Sequence, residues 1–506
     1  MSSISAVPPV SAGPFRLENC GELPALRGAL LKSGFTATAV RALIGGEAGR
    51  VMDRVAAVRR TGGGLPLHEL VRLFVIGMAL SEEAAVAALA PAKVAGLIEA
   101  GLLRRTSEGL VAVARLEEFE GLFLFADFPP PWDVQFAPDY VMSGASSSTR
   151  TLAFSTVRRL VESALDLCTG AGTHALLAAR HAKRVLATDA NPRAVNFARL
   201  NARLNGVENV RFAVGSFFEP VGDEQFDLIV SNPPFIVSPR SEFIFQNAGL
   251  GGDAASQLVL RESAAHLRVG GFAVTLLNWV HADDEDWEAP LRAWAQGTGA
   301  DLWVMRSKTE EPLSYAAETL RQSEDLRGPE YETLLDQWLA WYREHGIRRI
   351  TIGAAFFRKR AGGENWVRFI ESPDRGLNGS ASTQVQRIFA NEDFLRALPN
   401  ENALLSRRLI PHPDHALDQH LTPASDGWAV QALTISATHG FGFAAKLDAH
   451  ALAFLTRCDG QRTVGELIAD IAADAEIDFS EAVPTGLRIA QGMLRNGMLV
   501  PAEAGA

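Results

Sequence analysis

Between residues 160 and 280 the chain alternates short apolar runs with amphipathic segments. The apolar runs predict β-strands at residues 163–168, 184–188, 210–214, 226–231 and 272–278. The intervening segments repeat apolar residues every three or four positions and predict helices at 173–181, 192–205 and 255–267. Strands that alternate with helices are typical of a parallel sheet covered by helices on both faces, so the pattern predicts an α/β fold.

Helical periodicity also marks the segment before this region. The helical segments 22–32, 67–80 and 90–100 are followed by short strands at 101–105 and 109–113. Helices followed by a small strand pair predict a winged-helix-like domain over residues 15–128. Such a domain binds nucleic acid or protein, or serves only as a scaffold, and the pattern leaves these roles equally open. Residues 1–14, rich in Ser, Pro and Ala, are predicted to be disordered.

The segment after the alternating region predicts two further units. Apolar strands at 349–357 and 366–371 flank a charged, glycine-containing loop and predict an antiparallel hairpin at the edge of the sheet, so that the core domain spans 129–375. Residues 376–428 carry weak periodicity and form a predicted connecting region. Helical segments at 449–455, 464–472 and 481–496 before a terminal strand predict a second, small winged-helix-like α+β domain over residues 429–506.

The composition restricts the class of protein. The chain has 506 residues, a formal net charge of −11 and 47% hydrophobic residues, which is an ordinary globular balance. A protein that coats nucleic acid without sequence preference is usually basic, so any contact with nucleic acid must be local. Cys20, Cys168 and Cys458 fit no disulfide or zinc spacing and favour the cytoplasm. The longest apolar runs hold about ten residues, whereas a membrane span needs about 20, so no membrane contact is predicted.

A glycine-rich turn follows the first strand of the core. Asp166 is followed by Leu-Cys-Thr-Gly-Ala-Gly, and Gly170 and Gly172 stand between this strand and the next helix. Glycines in such a turn let a ligand approach the backbone closely. Asp166 can hold the turn by accepting backbone N–H groups, or reach a cationic ligand group through an intermediate. Two glycines alone are weak evidence, and because Ala175 stands where a dinucleotide motif has its third glycine, a dinucleotide is not excluded by this turn alone.

The ends of the second and third strands favour an adenosyl ligand. Asp189 ends the second strand about 17 residues after the glycine turn, where a carboxylate can accept both hydroxyls of a ribose. The alternative is that Asp189 caps the helix that starts at Pro192. After the third strand, Ser216 stands where an adenine is expected, and its hydroxyl can accept a hydrogen bond from the adenine amine. Phe217 or Phe218 can cover the ring or belong to the core.

The fourth strand runs into Asn232-Pro233-Pro234-Phe235, about 60 residues after the glycine turn. The prolines fix the backbone and remove two N–H donors. The side-chain carbonyl of Asn232 and the backbone carbonyl of Pro233 are then free to accept hydrogen bonds. Two acceptors that hold both N–H bonds of a planar amide or aryl amine align its lone pair for attack and stabilise the positive charge that develops on nitrogen. Phe235 offers a face for a planar group. The alternative is a strand that ends in a purely structural proline turn.

In these motifs the chain resembles the class I S-adenosylmethionine-dependent methyltransferases with an Asn-Pro-Pro-aromatic signature. That group includes release-factor glutamine, rRNA guanine-N2 and adenine-N6 DNA methyltransferases. The resemblance covers residues 130–375 and implies a Rossmann-like sheet of seven strands with S-adenosylmethionine as methyl donor. It implies that Gly170 and Gly172 lie under the methionine part of the cofactor, that Asp189 holds the ribose, and that residues 232–235 hold the target nitrogen. The chain departs from the family at Ser216, where an acid is expected, and in its flanking domains.

Smaller roles are open at four other places. Tyr140 and Thr149 belong to a segment that lines the cofactor mouth in relatives, although a flexible linker is equally open. His174 is expected on the surface of the first helix rather than at the cofactor carboxylate. Residues 249–253 form either a lid over the substrate or a plain turn capped by Asp253. The basic residues at 348–349 and 358–360 can grip phosphates, but a solvated hairpin tip is favoured.

Together these motifs predict an N-methyltransferase that uses S-adenosylmethionine. The predicted acceptor is a planar amide or exocyclic amine nitrogen of a macromolecule, either a nucleobase in RNA or DNA or a glutamine in a protein. One alternative is a small-molecule N-methyltransferase with the flanking domains as a lid or a dimer surface. Another is a methyltransferase-like binding module without activity, which is disfavoured because turn, acid and proline motif are all intact.

Overall fold

The structure is a computed structural model of the chain, and it describes residues 14–45, 53–129, 137–239, 251–282, 286–323, 329–425 and 427–502. Contacts divide the chain into two compact units. The first contains the described residues of 1–153 and 160–371, and the second those of 154–159 and 372–506. The finer domain boundaries expected from the sequence stay predictions. The predicted disorder of residues 1–14 falls almost entirely outside the described residues.

Thirteen α-helices, one short 3-10 helix (Leu17–Asn19), one π-helix (Arg72–Ile76) and twelve strands precede residue 372 among the described residues. The helices are α1 (Leu23–Ser33), α2 (Ala37–Ile44), α3 (Arg54–Arg60), α4 (Pro66–Val71), α5 (Glu82–Leu89), α6 (Val94–Glu99), α7 (Ser147–Ser155), α8 (Thr173–Ala178), α9 (Pro192–Asn205), α10 (Ala254–His266), α11 (Ala289–Ala295), α12 (Pro312–Ser323) and α13 (Pro329–Glu344). The strands are β1 (Leu103–Thr106), β2 (Gly109–Ala112), β3 (Arg115–Phe119), β4 (Leu122–Ala126), β5 (Val161–Leu167), β6 (Ala182–Asp189), β7 (Val210–Val214), β8 (Phe226–Ser231), β9 (Leu267–His281), β10 (Ala300–Glu310), β11 (Arg349–Lys359) and β12 (Val367–Glu371).

One large sheet forms the centre of the first unit, with the strand order β12-β10-β11-β9-β8-β5-β6-β7. The strands β7, β6, β5, β8 and β9 run parallel, and β11 is antiparallel to both of its neighbours. The predicted α/β class is therefore confirmed. The described sheet has eight strands instead of the seven that the resemblance implied, and the strand that the sequence pattern did not predict is β10.

At the edge of the sheet, the pairing differs from the predicted hairpin and lies beside a buried carboxylate. The predicted antiparallel hairpin of 349–357 with 366–371 does not form, since β12 pairs in parallel with β10 instead. Asp301, at the start of β10, is fully buried and accepts hydrogen bonds from Arg358, Arg360 and the backbone N–H of Trp366. A buried charge must be paired in this way, so the loop after β11 is drawn across to the far side of β10.

The parallel strands carry the sequence signals expected of them. The last five residues of β5 are all buried, as in strands covered on both faces. The helix α9 matches its predicted bounds, because Asn191 caps it by accepting from the N–H of Arg193, Pro192 occupies its first turn, and Gly206 ends it in the left-handed conformation. The chain runs from β5 outward to β7 and then returns to β8 on the other side of β5. Such a switch point opens a crevice at the carboxyl ends of the strands.

The N-terminal segment packs on this sheet through α9. Asn201 is fully buried; its amide accepts from the N–H of Phe125 (2.7 Å) and donates to the carbonyl of the same residue (2.9 Å). Asn205, one turn later, makes the same pair of bonds with Phe123. Two asparagines four positions apart therefore provide hydrogen-bond partners for the backbone N–H and C=O groups at the edge of β4. Of the predicted N-terminal elements, the strand pair is confirmed as β1 and β2. The predicted helix 67–80 is α4 continued by a π-helical segment to Ile76, and α6 is shorter than its predicted helix.

The second unit contains elements that the sequence pattern predicted only in part. Its helices are α14 (Ser382–Ala397), α15 (Ala449–Arg457), α16 (Val464–Asp474) and α17 (Phe479–Arg495), and its strands are β13 (Leu377–Asn378), β14 (Leu409–Pro411), β15 (His415–Ala424), β16 (Gly427–Ala437), β17 (Gly440–Phe441), β18 (Ala444–Leu447) and β19 (Leu499–Pro501). The three C-terminal helices and the terminal strand are confirmed. The helix α14 and the strand β15 lie in the predicted connecting region, and most of β16 lies at the start of the predicted C-terminal domain, where no strand was expected. In the parts of the chain that the structure describes, none of the helices has the length and hydrophobicity that a bilayer crossing requires.

Candidate active site

The glycine-rich turn between β5 and α8 is held by Asp166. Its Oδ2 accepts hydrogen bonds from the hydroxyl of Thr169 and from the backbone N–H of Ala175 (2.8 Å). Gly170 and Gly172 both have positive φ, of 54° and 89°, a conformation that favours glycine. Burial raises the pKa of Asp166 to about 7, although its two hydrogen bonds act in the opposite direction.

Asp189 joins the end of β6 to the same turn. Its Oδ2 accepts from the N–H of Gly170 (2.8 Å), and its Oδ1 accepts from the N–H of Asn191 (2.9 Å). The capping alternative is wrong, because Asn191 caps α9. Each carboxylate oxygen has a further lone pair with which to accept a ligand hydroxyl. Burial raises the pKa of Asp189, and the two backbone N–H groups partly offset this.

The segment after β7 separates the roles of its two phenylalanines. Phe218 is buried in the core and stacks on the ring of His266, with 4.7 Å between ring centroids. Phe217 is half-buried and has a φ of 44°, which is unusual for a residue with a side chain. Ser216 is exposed, and its backbone N–H donates to Glu219 (3.2 Å). Phe218 therefore belongs to the core, and the half-buried ring of Phe217 packs against the same cluster.

The proline motif lies directly beside the glycine turn. The last paired residues of β5 and β8 are Leu167 and Ser231, and the hydroxyl of Ser231 donates to the carbonyl of Leu167 (3.0 Å). Neighbouring strands lie about 4.8 Å apart, so the next residues, Cys168 and Asn232, start two adjacent turns. The cofactor turn and the proline turn thus leave the same edge of the sheet, at the switch point.

The amide of Asn232 has one partner among the described residues that sets its orientation. Its Nδ2 donates to the hydroxyl of Ser148 on α7, at 3.3 Å. That bond uses the donor side of the amide and leaves Oδ1 to accept. Asn232 and Phe235 are half-buried, and Pro233 is buried. Ser148 was not singled out in the sequence analysis, and it stands 84 positions before its partner.

The segment before α7 crosses the glycine turn. The carbonyl of Gly144 accepts from the hydroxyl of Thr173 (2.8 Å), and the carbonyl of Asp139 accepts from the side chain of Asn191 (2.9 Å). Thr149 is buried, and its hydroxyl bonds to that of Ser146 (2.8 Å). The contacts of Gly144 and Asp139 hold this segment beside the glycine turn, and the roles of Tyr140 and Thr149 stay predictions.

Two of the smaller expectations need correction. His174 is 6% exposed and lies inside the unit, not on the surface of α8. Asp253 does not cap α10; its Oδ2 accepts from the N–H of Val280 on β9 (2.9 Å). Residues 249 and 250 of the predicted lid lie outside the described residues.

The basic residues of β11 do not form a phosphate-binding cluster. Arg349 and Arg358 are at opposite ends of β11, about 30 Å apart at about 3.4 Å per residue. Arg358 and Arg360 bind the buried carboxylate of Asp301, and Lys359 donates to the carbonyl of Thr298 (2.8 Å). The charges at the end of β11 therefore stabilise the edge of the sheet.

The site fits an S-adenosylmethionine molecule. The Oδ1 atom of Asp166 is buried without a hydrogen-bond partner in the described part of the structure, and a buried acceptor of this kind calls for a donor such as the cofactor's ammonium group. A Cβ atom added to Gly170 would meet no atom within 4 Å, so there is open space over the turn. Asp189 offers ribose acceptors next to that space.

Comparison with known proteins agrees with this geometry. Residues 144–276 match the family described as the methyltransferase small domain, and residues 32–113 and 386–501 match two domains of unknown function, DUF7059 and DUF7782. A release factor glutamine methyltransferase from Xylella fastidiosa is 34% identical over 164 residues, which cover 28% of this chain and 58% of that protein. A ribosomal protein uL3 glutamine methyltransferase from Bradyrhizobium diazoefficiens is 34% identical over 127 residues, 22% of this chain and 39% of that protein.

The match to these relatives is partial. The chain spans little more than half the length of the Xylella protein and less of the Bradyrhizobium protein. Among solved structures, a methyltransferase from Pyrococcus furiosus is 20% identical, with a TM-score of 0.28 over 47% of this chain and 89% of that one. The sequence match, the strand order and the two adjacent turns agree in this one part of the chain. Residues 144–276 therefore form a methyltransferase domain of the S-adenosylmethionine-dependent class.

Proposed function

We propose that the whole protein is an N-methyltransferase that transfers the methyl group of S-adenosylmethionine to the side-chain amide of a glutamine in a protein. The observation that carries the proposal is the pairing of Leu167 with Ser231, which sets the proline motif next to the glycine turn. The names of the relatives favour a glutamine over other planar nitrogens.

The residues of the proline motif would hold the acceptor amide. Asn232 Oδ1 and the carbonyl of Pro233 accept its two N–H bonds, which fixes the nitrogen and stabilises the positive charge that develops on it. Phe235 covers the amide plane, and Pro234 keeps the turn rigid. S-Adenosylmethionine supplies the electrophilic methyl group when bound.

The cofactor would be held by residues of three strand ends. Gly170 and Gly172 leave space for its methionine part, and the free Oδ1 of Asp166 faces a donor. Asp189 accepts the ribose hydroxyls. Ser216 and Phe217 would meet the adenine, with a hydroxyl in place of the acid that relatives use. Three free cysteines and this cofactor requirement support a cytoplasmic location.

A protein acceptor is favoured over a nucleobase by the N-terminal segment. An isolated β-bridge joins Leu80 to Leu110 beside the strand pair β1–β2, which supports the winged-helix-like interpretation of this segment. The helix α6, which directly precedes β1, has the sequence Val-Ala-Gly-Leu-Ile-Glu and contains no basic residue. Glu22 accepts from the N–H of Lys93 (3.0 Å), and a Cβ at Gly96 would lie 2.5 Å from the Glu22 side chain. We infer that this winged-helix-like segment is a scaffold, because α6 has no basic residue and its start is covered by Glu22, the residue before α1.

The decisive experiment is methyl transfer with labelled S-adenosylmethionine to candidate proteins. Purified release factors and ribosomal proteins are incubated with the enzyme, and mass spectrometry identifies the methylated residue. Asn232→Ala should abolish transfer while cofactor affinity stays unchanged. Asp223→Ala, an exposed position at the amino end of β8, is the control and should keep full activity. Label in RNA or DNA, or full activity of Asn232→Ala, would refute the proposal.

A further inference from the structure

In the described residues after β8, up to 239, the chain forms no helix or strand beyond a β-bridge at Phe235. β8 ends at Ser231, and Pro233 and Pro234 have no N–H to donate. A turn outside regular secondary structure needs an anchor elsewhere if its carbonyls are to stay in place. The first fully buried residue after the motif is Val237.

Two tyrosines hold both polar groups of Val237. Its N–H donates to the phenol oxygen of Tyr315 (3.1 Å), and its carbonyl accepts from the hydroxyl of Tyr342 (2.7 Å). Tyr315 lies on α12 and Tyr342 on α13, the two helices inserted between β10 and β11. Side chains of the two helices between β10 and β11 thus hold the backbone after the proline motif. This helix pair is called the α12–α13 insertion.

Tyr315 also ties this anchor to the sheet. Its phenol oxygen accepts a second bond from Nδ2 of Asn278 on β9 (2.9 Å). Asn278 is 2% exposed, and β9 is the neighbour of β8. One phenol oxygen therefore joins the proline turn, the insertion and the strand next to the motif.

Packing alone does not explain these hydroxyls. Tyr315 and Tyr342 lie in an apolar cluster with Leu320, Trp338 and Ile350. Burying a hydroxyl there is costly unless it is hydrogen-bonded, and phenylalanine would fill the same volume without that cost. Each hydroxyl instead bonds to the backbone of Val237, and that of Tyr315 also accepts from Asn278.

We propose that the α12–α13 insertion positions the methyl acceptor, with Tyr315 and Tyr342 as positioning residues that fix the turn through Val237. The proposal rests on the proposed function of the Asn232 motif. An acceptor nitrogen must be aligned closely with the methyl group, and a misplacement of about 1 Å costs about 100-fold in rate. The insertion would therefore act on turnover and leave the cofactor site intact.

The test compares Tyr315→Phe and Tyr342→Phe with Tyr331→Phe. Tyr331 lies on α13 and packs against the same cluster but takes no part in the contacts to Val237. Hydrogen exchange measured by mass spectrometry should show the Val237 amide exchanging at least about fivefold faster in Tyr315→Phe, since a buried N–H loses its acceptor. Together, the hydrogen bonds of Tyr315 and Tyr342 to Val237 form a clamp on the turn. Tyr315→Phe and Tyr342→Phe should each lower kcat by about three- to tenfold, with cofactor Kd and acceptor KM within twofold of wild type.

The exchange measurement needs no activity, so it tests the clamp separately from the proposed function. A wild-type protein that transfers no methyl group to glutamine would refute the function and leave the clamp to the exchange data. Wild-type exchange at Val237 in a folded Tyr315→Phe protein would overturn the clamp. If Tyr315→Phe does not fold, Tyr342→Phe decides: an unchanged kcat, or an effect equal to that of Tyr331→Phe, refutes the positioning role.

Discussion

Asn232 donates a hydrogen bond from its side-chain Nδ2 to the hydroxyl of Ser148 at 3.3 Å. The NH₂ donor and the oxygen acceptor of a side-chain amide lie in one plane and point in different directions from the amide carbon. The bond to α7 therefore determines which side of the amide is left for the substrate. Without this bond, the amide of Asn232 can rotate and turn its own N–H groups toward the N–H₂ group of the substrate, which also donates.

Replacing Ser148 should slow methyl transfer without affecting the cofactor. Loss of one hydrogen bond of this type is worth about 0.5–1.5 kcal/mol, so Ser148→Ala should lower kcat by about two- to tenfold. Steady-state kinetics and calorimetric titration with S-adenosylmethionine would measure the two effects separately. Ser148→Thr, which keeps the hydroxyl, should recover most of the rate, and Ser147→Ala at the exposed neighbouring position should change neither value. A weaker cofactor affinity in Ser148→Ala would contradict this role.

The two glycines of the cofactor turn should fail for different reasons when replaced by alanine. An added Cβ meets nothing within 4 Å at Gly170, but it meets Ala198 Cβ at 2.9 Å at Gly172. Gly170→Ala should fold with a loss of about 1–2 kcal/mol for its positive φ and bind the cofactor at least about tenfold more weakly, because the methyl group fills the ligand space. Gly172→Ala should lower the free energy of unfolding by about 2–4 kcal/mol, since strain and overlap with α9 add together.

Thermal unfolding and cofactor titration of both variants check this difference. Gly206→Ala is a suitable control, because Gly206 also has a positive φ and open space around an added Cβ, but it lies at the end of α9. Its stability loss should match that of Gly170→Ala while its cofactor affinity stays normal. Equal affinities for Gly170→Ala and Gly206→Ala would show that Gly170 does not face the cofactor.

Local signals in the sequence predicted the central strands and the motif residues, but contacts between distant positions did not follow from it. Strands β5 to β8 were predicted because buried parallel strands are continuous apolar runs. The strand β12 was predicted with the wrong partner, since its parallel pairing with β10 lies beside the bond between Asp301 and Arg358, 57 positions apart, and no local pattern contains such a pairing. The bond between Ser148 and Asn232 is of the same kind. The helix α13 could have been found, since Leu334, Trp338 and Tyr342 recur at a helical spacing of four.

Asn201 should contribute to both stability and cofactor binding. Besides its two bonds to Phe125, its Nδ2 donates to the carbonyl of Ala171, the residue between the two glycines, at 2.8 Å. Asn201→Ala leaves these buried backbone groups without a partner, so the free energy of unfolding should fall by about 2–4 kcal/mol and cofactor affinity should fall with it. Asn205→Ala removes the equivalent bonds to Phe123 but does not touch the glycine turn.

Denaturant unfolding and calorimetry distinguish these two variants. Asn205→Ala should lose about 1–3 kcal/mol of stability and keep the wild-type affinity for S-adenosylmethionine. If the two variants weaken the cofactor equally, the bond from Asn201 to Ala171 has no specific role in shaping the turn.

Cofactor affinity should rise with pH through neutrality. Burial raises the pKa of Asp166 to about 7 in the protein without cofactor, so this carboxyl is mostly protonated at pH 6 and mostly ionised at pH 8. The ammonium group of S-adenosylmethionine binds the ionised form better, and its own pKa of about 8 keeps it largely charged up to that pH. The Kd should therefore fall between pH 6 and about 7.5 and rise again once the ammonium loses its proton. Calorimetric titrations from pH 6 to 9 test this, with Asp166→Asn as the variant that cannot titrate. Asp166→Asn should bind more weakly at pH 7.5 and show no gain in affinity between pH 6 and 7.5. A gain of wild-type size in that variant would assign the titration to another group, with Asp189, whose pKa is also raised, as the next to replace.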